Sequence, residues 1–193
     1  MTTLAITFPE VIETPRLVLR PYDVSDAEQL FTLVEHDRDR LVESFPNLSN
    51  ELLTVSDVES YILNRADDRT NRRLFCYGMW LRSSADLVGQ LQVKNIAWNI
   101  PSAELSYFVG SSCYRRGFAT EAVASVSKVA FNKCRFARIF VRVISSNTES
   151  LSLAKKLGFQ HEGIHRNDFR CGQGKLHDVH YFAITRGNDE PSK

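Results

Sequence analysis

The stretch from Ser102 to Cys134 constrains the chain most, because its hydrophobic period changes once, at a basic turn. In its first part Leu105, Tyr107 and Val109 fall on one face and Glu104, Ser106 and Phe108 on the other, the period of a strand. In its last part Phe118, Ala119, Ala122, Val123, Val126, Val129 and Ala130 recur at three- and four-residue steps, one stripe of an amphipathic helix. Between them lie Tyr114, Arg115, Arg116 and Gly117, with no acidic residue from Gly110 to Ala119. A strand that turns through basic residues and a glycine into a helix builds an anion site. The first helical N–H groups have no intrahelical partners, and the helix dipole adds positive potential there. Gly117, with no Cβ, lets a bulky anion approach the backbone. The two standard nucleotide patterns are absent: there is no G-x-x-x-x-G-K-S/T and no G-x-G-x-x-G.

The remaining sequence sets bounds. At 193 residues the chain is long enough for one sizeable core, so a single domain over 1–193 is expected, with residues 1–15 a lead-in and 187–193 a flexible tail. A formal net charge of +1 gives no footprint for bulk nucleic-acid binding or a polybasic membrane anchor. There is no apolar run of membrane-spanning length and no signal-peptide pattern, which together imply a cytoplasmic protein. Cys76, Cys113, Cys134 and Cys171 are far apart and form no C-x-x-C pair, so they read as free thiols. The pairs His161/His165 and His177/His180 lack a Cys/His knot or an H-E-x-x-H motif, and no metal is expected.

Along the chain, Arg16–Arg20 alternates and stops at Pro21, giving a first strand. Ser25 with Glu28, and Ser56 with Glu59, read as capping boxes opening two helices; the polar segment between them carries Phe45-Pro46-Asn47 as a breaker. Leu74–Leu81 and Leu87–Asn95 form a hairpin across Arg82–Asp86. After the long helix, Arg138–Ile144 is a strand, Asn147–Leu157 a helix ended by Gly158, and Phe159–Ile164 and Leu176–Thr185 are two closing strands. The predicted order is β-α-α-β-β-β-α-β-α-β-β, an α/β (α+β) fold with a mixed, mostly antiparallel seven-stranded sheet and about four helices.

The turn Y-R-R-G-F-A-T-E-A resembles the pyrophosphate-binding loop of the GCN5-related N-acetyltransferase (GNAT) superfamily, with Tyr114 where that pattern prefers Gln or Arg. A second stretch, N-T-E-S-L-S-L-A-K-K-L-G-F from Asn147 to Phe159, resembles the family's second motif. E-T-P-R-L-V-L-R-P (Glu13 to Pro21), A-E-L-S-Y (Ala103 to Tyr107) and L-G-F-Q-H-E-G (Leu157 to Gly163) are similar to the RimJ/RimL ribosomal-protein group within it.

The resemblance implies an enzyme that moves an acetyl group from acetyl-CoA to a primary amine, most naturally a protein N-terminal α-amine such as that of a ribosomal protein. A polyamine or aminoglycoside acetyltransferase is the alternative within the same chemistry, and a non-catalytic acyl-CoA-binding module the alternative outside it. It further implies that the backbone from Arg115 through Gly117 and Phe118 to Ala119 holds the pyrophosphate. The Thr120 hydroxyl, Tyr114 and the Arg115 and Arg116 guanidinia would stand nearby. Main-chain groups of Tyr107, Phe108 and Val109 would pair with the pantetheine arm, an N–H near Phe108 would face the developing oxyanion, and Asn147 would bind the arm. Glu104 is the implied base. The tyrosine that protonates the thiolate in many members is replaced here by Ala154, which leaves Ser150 as the implied acid, and Asp168 stands near an acceptor-side carboxylate of the ribosomal-protein branch. A polyamine enzyme needs an acidic acceptor cleft, for which Glu35, Asp37, Asp39 and Glu43 are the candidates. The state could be monomer or homodimer.

Overall fold

The computed structural model describes residues 7–186. The elements run β1 (Ile12–Glu13), β2 (Leu17–Arg20), α1 (Ala27–His36), α2 (Arg38–Ser44), α3 (Pro46–Glu51), α4 (Val55–Thr70), β3 (Phe75–Leu81), β4 (Leu87–Ala97), β5 (Ser102–Val109), α5 (Phe118–Asn132), β6 (Arg138–Ile144), α6 (Thr148–Lys156), β7 (Gln160–Arg170) and β8 (Leu176–Thr185). The eight strands form one sheet in the order β1-β2-β3-β4-β5-β6-β8-β7. Every neighbouring pair is antiparallel except β5 and β6, which are parallel. The mixed, mostly antiparallel sheet with helices on it is the expected architecture, and the strands at Arg138–Ile144 and Leu176–Thr185 fall where the alternation put them.

Helices cover both faces, because both faces of the central strands are apolar. On one, Phe118, Ala122, Val123, Val126 and Ala130 of α5 pack on Leu91, Leu105 and Val141. The small Ala side chains of that stripe let the helix lie close to the sheet. On the other, Leu30, Val34, Leu41, Leu48, Val58 and Ile62 of α1–α4 pack around Trp80 and Phe108. Burying each of these aliphatic side chains stabilises the fold by roughly 1.5–3 kcal/mol before conformational entropy is charged against it.

Four details differ from expectation. The segment 38–51 holds two extra helices, since Pro46 takes the first position of α3, where its missing N–H costs nothing, instead of only breaking the chain. The caps lie earlier than Ser25 and Ser56: Asp23 with Asp26 closes one box and Thr54 with Asp57 the other. Residues 7–15 are more than a lead-in, because Phe8 is buried against Phe75 and Phe136, and β1 adds an eighth strand. β7 runs past Ile164 to Arg170 through a register shift between His165 and Phe169. The tail 187–193 and residues 1–6 lie outside the described residues.

Candidate active site

β5 and β6 pair over three residues only, Ser102–Arg138, Ala103–Ile139 and Glu104–Phe140, and then diverge. Beyond the fork β5 keeps its β4 partner out to Val109 and β6 keeps its β8 partner out to Ile144. The two strands therefore present facing edges with main-chain groups that no neighbouring strand uses. A cleft of about 690 Å³ opens from this fork, well within the 300–1,000 Å³ usual for ligand sites. Its walls are the end of β5 (Tyr107, Phe108, Val109), the turn and first residues of α5, and the face of α6 from Asn147 to Lys156. A smaller cavity of about 100 Å³ lies at the vertex, lined by Glu104, Lys94, Arg142 and Phe169 among others. Ser44, Phe45, Tyr107, Asn147 and Ser150 line both.

The anion turn is held in shape by strain and by a distant anchor. Gly117 caps α5 at φ 80°, and Arg115 also has positive φ, 55°, a conformation costly for a residue with a Cβ. The Gly117 carbonyl accepts from Glu121 N at 3.0 Å, so the N–H groups of Phe118, Ala119 and Thr120 precede the regular helical bonding. Glu121 fixes this turn from below. Its Oε1 accepts from the Thr14 hydroxyl (2.6 Å) and Arg16 N (2.8 Å), and its Oε2 from Arg16 Nε (2.7 Å). Arg16 Nη1 continues to the Arg116 carbonyl at 2.8 Å. Burial raises the Glu121 pKa, but the Thr14 and Arg16 bonds outweigh it and hold the carboxyl below its ordinary value.

Of the residues expected at a cofactor site, Tyr107, Phe108, Val109, Tyr114, Arg115, Gly117, Phe118, Ala119, Thr120 and Asn147 line the cleft. Arg116 does not: its guanidinium lies over the Phe118 ring, 4.9 Å from the centroid, and its contribution is the carbonyl that Arg16 holds. Asn147 spends Oδ1 on the α6 cap, accepting from Ser150 N at 3.0 Å, which leaves its NH2 end as what it can offer a ligand.

Among the cleft residues missed from sequence are two cations. Arg40 of α2 donates from Nη2 to the Val109 carbonyl (2.9 Å), lies over the Tyr114 ring and pairs with Asp37 at 3.2 Å. Asp37, buried, also accepts from Ser111 N at 2.8 Å; burial opposes its charge, and the Ser111 and Arg40 bonds hold its pKa below the usual value all the same. Lys156 lines the far wall on the last turn of α6. The only sequence signal for either was a basic residue in a helix, shared by many surface positions.

Glu104 is almost fully buried, 3% exposed, at the last paired position before the fork. Its Oε2 accepts from Asn95 Nδ2 at 2.6 Å and its Oε1 lies 3.5 Å from Lys94 Nζ, directly across on β4. A register shift between Lys94 and Ala97, with Asn95 at φ 49°, turns that amide onto the carboxylate. Asp168 lines neither cavity: it accepts from the Tyr181 hydroxyl (2.7 Å) and pairs with Arg142 (3.1 Å), which together hold its carboxyl below the usual range. Among the described residues no three His, Cys, Asp or Glu side chains converge in a metal-binding group; His161 and His180 pair with ring nitrogens 3.1 Å apart and pack on the Phe182 ring. The four cysteines are free thiols, and burial pushes Cys76 and Cys134 up to about 11.

Comparison with known proteins places this arrangement. The model of an acetyltransferase (GNAT) domain matches residues 16–160. The uncharacterised N-acetyltransferase YoaA of Bacillus subtilis is 27% identical over 179 residues, spanning 93% of this chain and 98% of that protein. The uncharacterised N-acetyltransferase p20 of Bacillus licheniformis is 27% identical over 177 residues, 92% and 97% of the two chains. Among solved structures, RimL, a ribosomal L7/L12 α-N-protein acetyltransferase in complex with coenzyme A, superposes with a TM-score of 0.83 at 18% identity, covering 91% of this chain and 98% of that one. RimJ of Mycobacterium smegmatis, in complex with CoA-disulfide, gives 0.81 at 24% identity, covering 92% and 88%. The family match over residues 16–160, most of the chain, settles the assignment: this protein belongs to the GNAT family of N-acetyltransferases.

Proposed function

We propose that this enzyme transfers an acetyl group from acetyl-CoA to a protein N-terminal α-amine, such as that of a ribosomal protein. The observation that carries the reading is the fork: the cleft at the helix start and the edge of β5 shares five lining residues with the vertex cavity, which the edge of β6 and the buried Glu104 carboxylate line.

The residues present fit acetyl-CoA. The turn from Arg115 to Thr120 would hold the pyrophosphate on N–H groups and helix dipole, and Arg40, Arg115 and Lys156 put positive charge along the same cleft. The free edge of β5 from Tyr107 to Val109 would take an extended amide-bearing arm as an added strand. Bound there, acetyl-CoA supplies the activated acyl group. The chain's own tasks are to fix that group at the fork, exclude water, and take a proton from the amine. Glu104 is placed for the last, with Asn95 and Lys94 fixing its orientation.

The acceptor side favours a peptide amine over a polyamine. Of the four acidic residues that would line a polycation cleft, Glu35 pairs with Arg38, Asp37 is turned onto Ser111 and Arg40, and Asp39 lines neither cavity. Glu43 alone of the four reaches the cleft, and it accepts from Ser146 at 2.9 Å. Phe45 and Phe169 instead give the vertex cavity aromatic walls. The structural likeness to RimL and RimJ supports the same class.

The test has two arms. Coenzyme A should raise the melting temperature in a dose-dependent way while NAD does not, because a ligand of the folded state alone stabilises it. Equal stabilisation by NAD would count against the cofactor. Ribosomal proteins from a lysate incubated with enzyme and acetyl-CoA should gain one acetyl mass at an N-terminus. A gain on spermidine and none on protein would move the acceptor to the small-amine class.

A further inference from the structure

We infer that Tyr107, working with Ser150, is the hydrogen-bond donor to the departing sulfur of acetyl-CoA, a catalytic role that goes beyond the backbone contact expected of it. The inference rests on the acetyl-CoA reading above.

Acetyl transfer forms a bond from the amine nitrogen to the acetyl carbon and breaks the bond from that carbon to sulfur. The amine gives up a proton, and the electron pair of the broken bond leaves on sulfur, which is later protonated. A donor at the sulfur is therefore needed, at the place where the cofactor cleft meets the acceptor cavity. Five residues line both spaces, and the O–H donors among them are Ser44, Tyr107 and Ser150. Tyr107 stands apart on three grounds.

Its hydroxyl is buried and completes no hydrogen bond, which is costly unless a ligand supplies the partner. Its direction is also right. Tyr107 alternates with Glu104 and Ser106 along β5, so its ring packs into the core on the α5 and α6 side while Phe108 belongs to the opposite layer. The phenol thus stands under α6, beside Ser150, on the other face of the sheet from the carboxylate at the vertex. Base and donor then approach from different faces of β5, so the proton leaving the amine and the charge growing on sulfur are served by separate groups. Finally, a phenol is a far stronger acid than the two alcohols.

Burial pushes Tyr107 up to about 12, and the neighbouring Ser150 hydroxyl opposes this although the two fall short of hydrogen-bond geometry. A thiol, at about 8.5, is the stronger acid of the two. Tyr107 therefore keeps its proton and stabilises the negative charge growing on sulfur, and the thiolate takes its proton from solvent on release. Such a contact strengthens as the C–S bond breaks, so it acts on turnover more than on binding.

The experiment reads the sulfur directly. Coenzyme A bound to wild type and to Tyr107→Phe is titrated by its ultraviolet thiolate absorbance, with affinity measured by calorimetry. Lys94, Glu104 and Arg142 of the vertex cavity, and Arg40, Glu43, Arg115, Glu149 and Lys156 of the cleft, are the charged groups lining the two spaces; they are the same in both proteins and cancel in the comparison. The bound thiol should titrate about one pH unit higher in Tyr107→Phe, since a donor to the charged form has been lost, with affinity for coenzyme A within a few-fold. With an acceptor in hand, kcat should fall about ten- to a hundredfold at unchanged KM for acetyl-CoA, and adding Ser150→Ala should cost less than it does alone. If the phenylalanine protein melts early, a fluorinated tyrosine at 107, a stronger acid of the same shape, should move the thiol titration down instead. An identical thiol titration in both proteins, or a raised KM with kcat intact, overturns the inference and leaves Tyr107 a wall of the cleft. Failure of wild type to bind coenzyme A overturns the proposed function itself.

Discussion

Arg40 Nη2 stands 2.9 Å from the Val109 carbonyl, so the last main-chain acceptor of β5 is closed by a side chain from α2. The same guanidinium pairs with Asp37, which in turn holds Ser111 N. One cation thus ties the helical layer to the strand end and to the loop that leads into the anion turn. Arg40→Met keeps the stem and removes these bonds. It is expected to weaken coenzyme A binding by about tenfold, the loss of one charge-assisted bond, read by calorimetry. Unchanged affinity would make Arg40 purely structural.

Gly117 tests the anion turn. At φ 80° a Cβ is strained and would lie 3.3 Å from Arg16 Nη2. Gly117→Ala should destabilise by about 1–2 kcal/mol through the left-handed conformation. Gly117→Val should in addition abolish coenzyme A binding while the far-UV spectrum survives. Retained affinity in the valine protein would remove the turn from the site.

Glu121 gives an acid-side signature. Its folded pKa lies below the unfolded value, so its contribution is complete above the unfolded carboxyl range and disappears as pH falls through the depressed folded value. In urea titrations wild type should exceed Glu121→Gln at neutral pH, and the gap should close toward acid. A gap that stays constant with pH would mean the glutamine loses packing and not charge.

Glu104→Gln should lower turnover by roughly a hundredfold at neutral pH, the usual scale for removing a general base. The deficit should shrink as pH rises, because an amine already free of its proton needs no base. Near-normal activity at neutral pH would send the proton to water instead. Asp168 is not a ready substitute, since Tyr181 and Arg142 occupy it.

How far the sequence revealed this molecule follows from where each signal resides. Arg138–Ile144 and Leu176–Thr185 were legible because each carries a strand period against a packed layer. β7 was read short because it is exposed along nearly its whole length, so nothing apolar marks its period beyond Ile164. α2 and α3, seven and six residues long, offer too few turns for a stripe. At the site, the turn from Tyr114 to Thr120 is contiguous and could be read outright. Arg40, Lys94 and Asn95 could not, since α2 and a bulge in β4 deliver them from far along the chain. The role of Glu13 to Pro21 was also hidden: Thr14 and Arg16 act by gripping Glu121, more than a hundred residues away.

The fork between β5 and β6 has a consequence for the life of the protein. With three residue pairs joining them, the five strands before α5 and the three after it meet at a seam in the middle of the sheet. An extended ligand lying in that seam would act as the missing rung, adding a strand-to-strand link between halves that the core under α5 otherwise joins. Amides flanking the seam should exchange quickly in the empty protein and slowly in the loaded one, and proteases should cut the empty protein first. Resistance to degradation would then rise and fall with the supply of the ligand, so the chain's abundance in a cell would report on the metabolite it consumes.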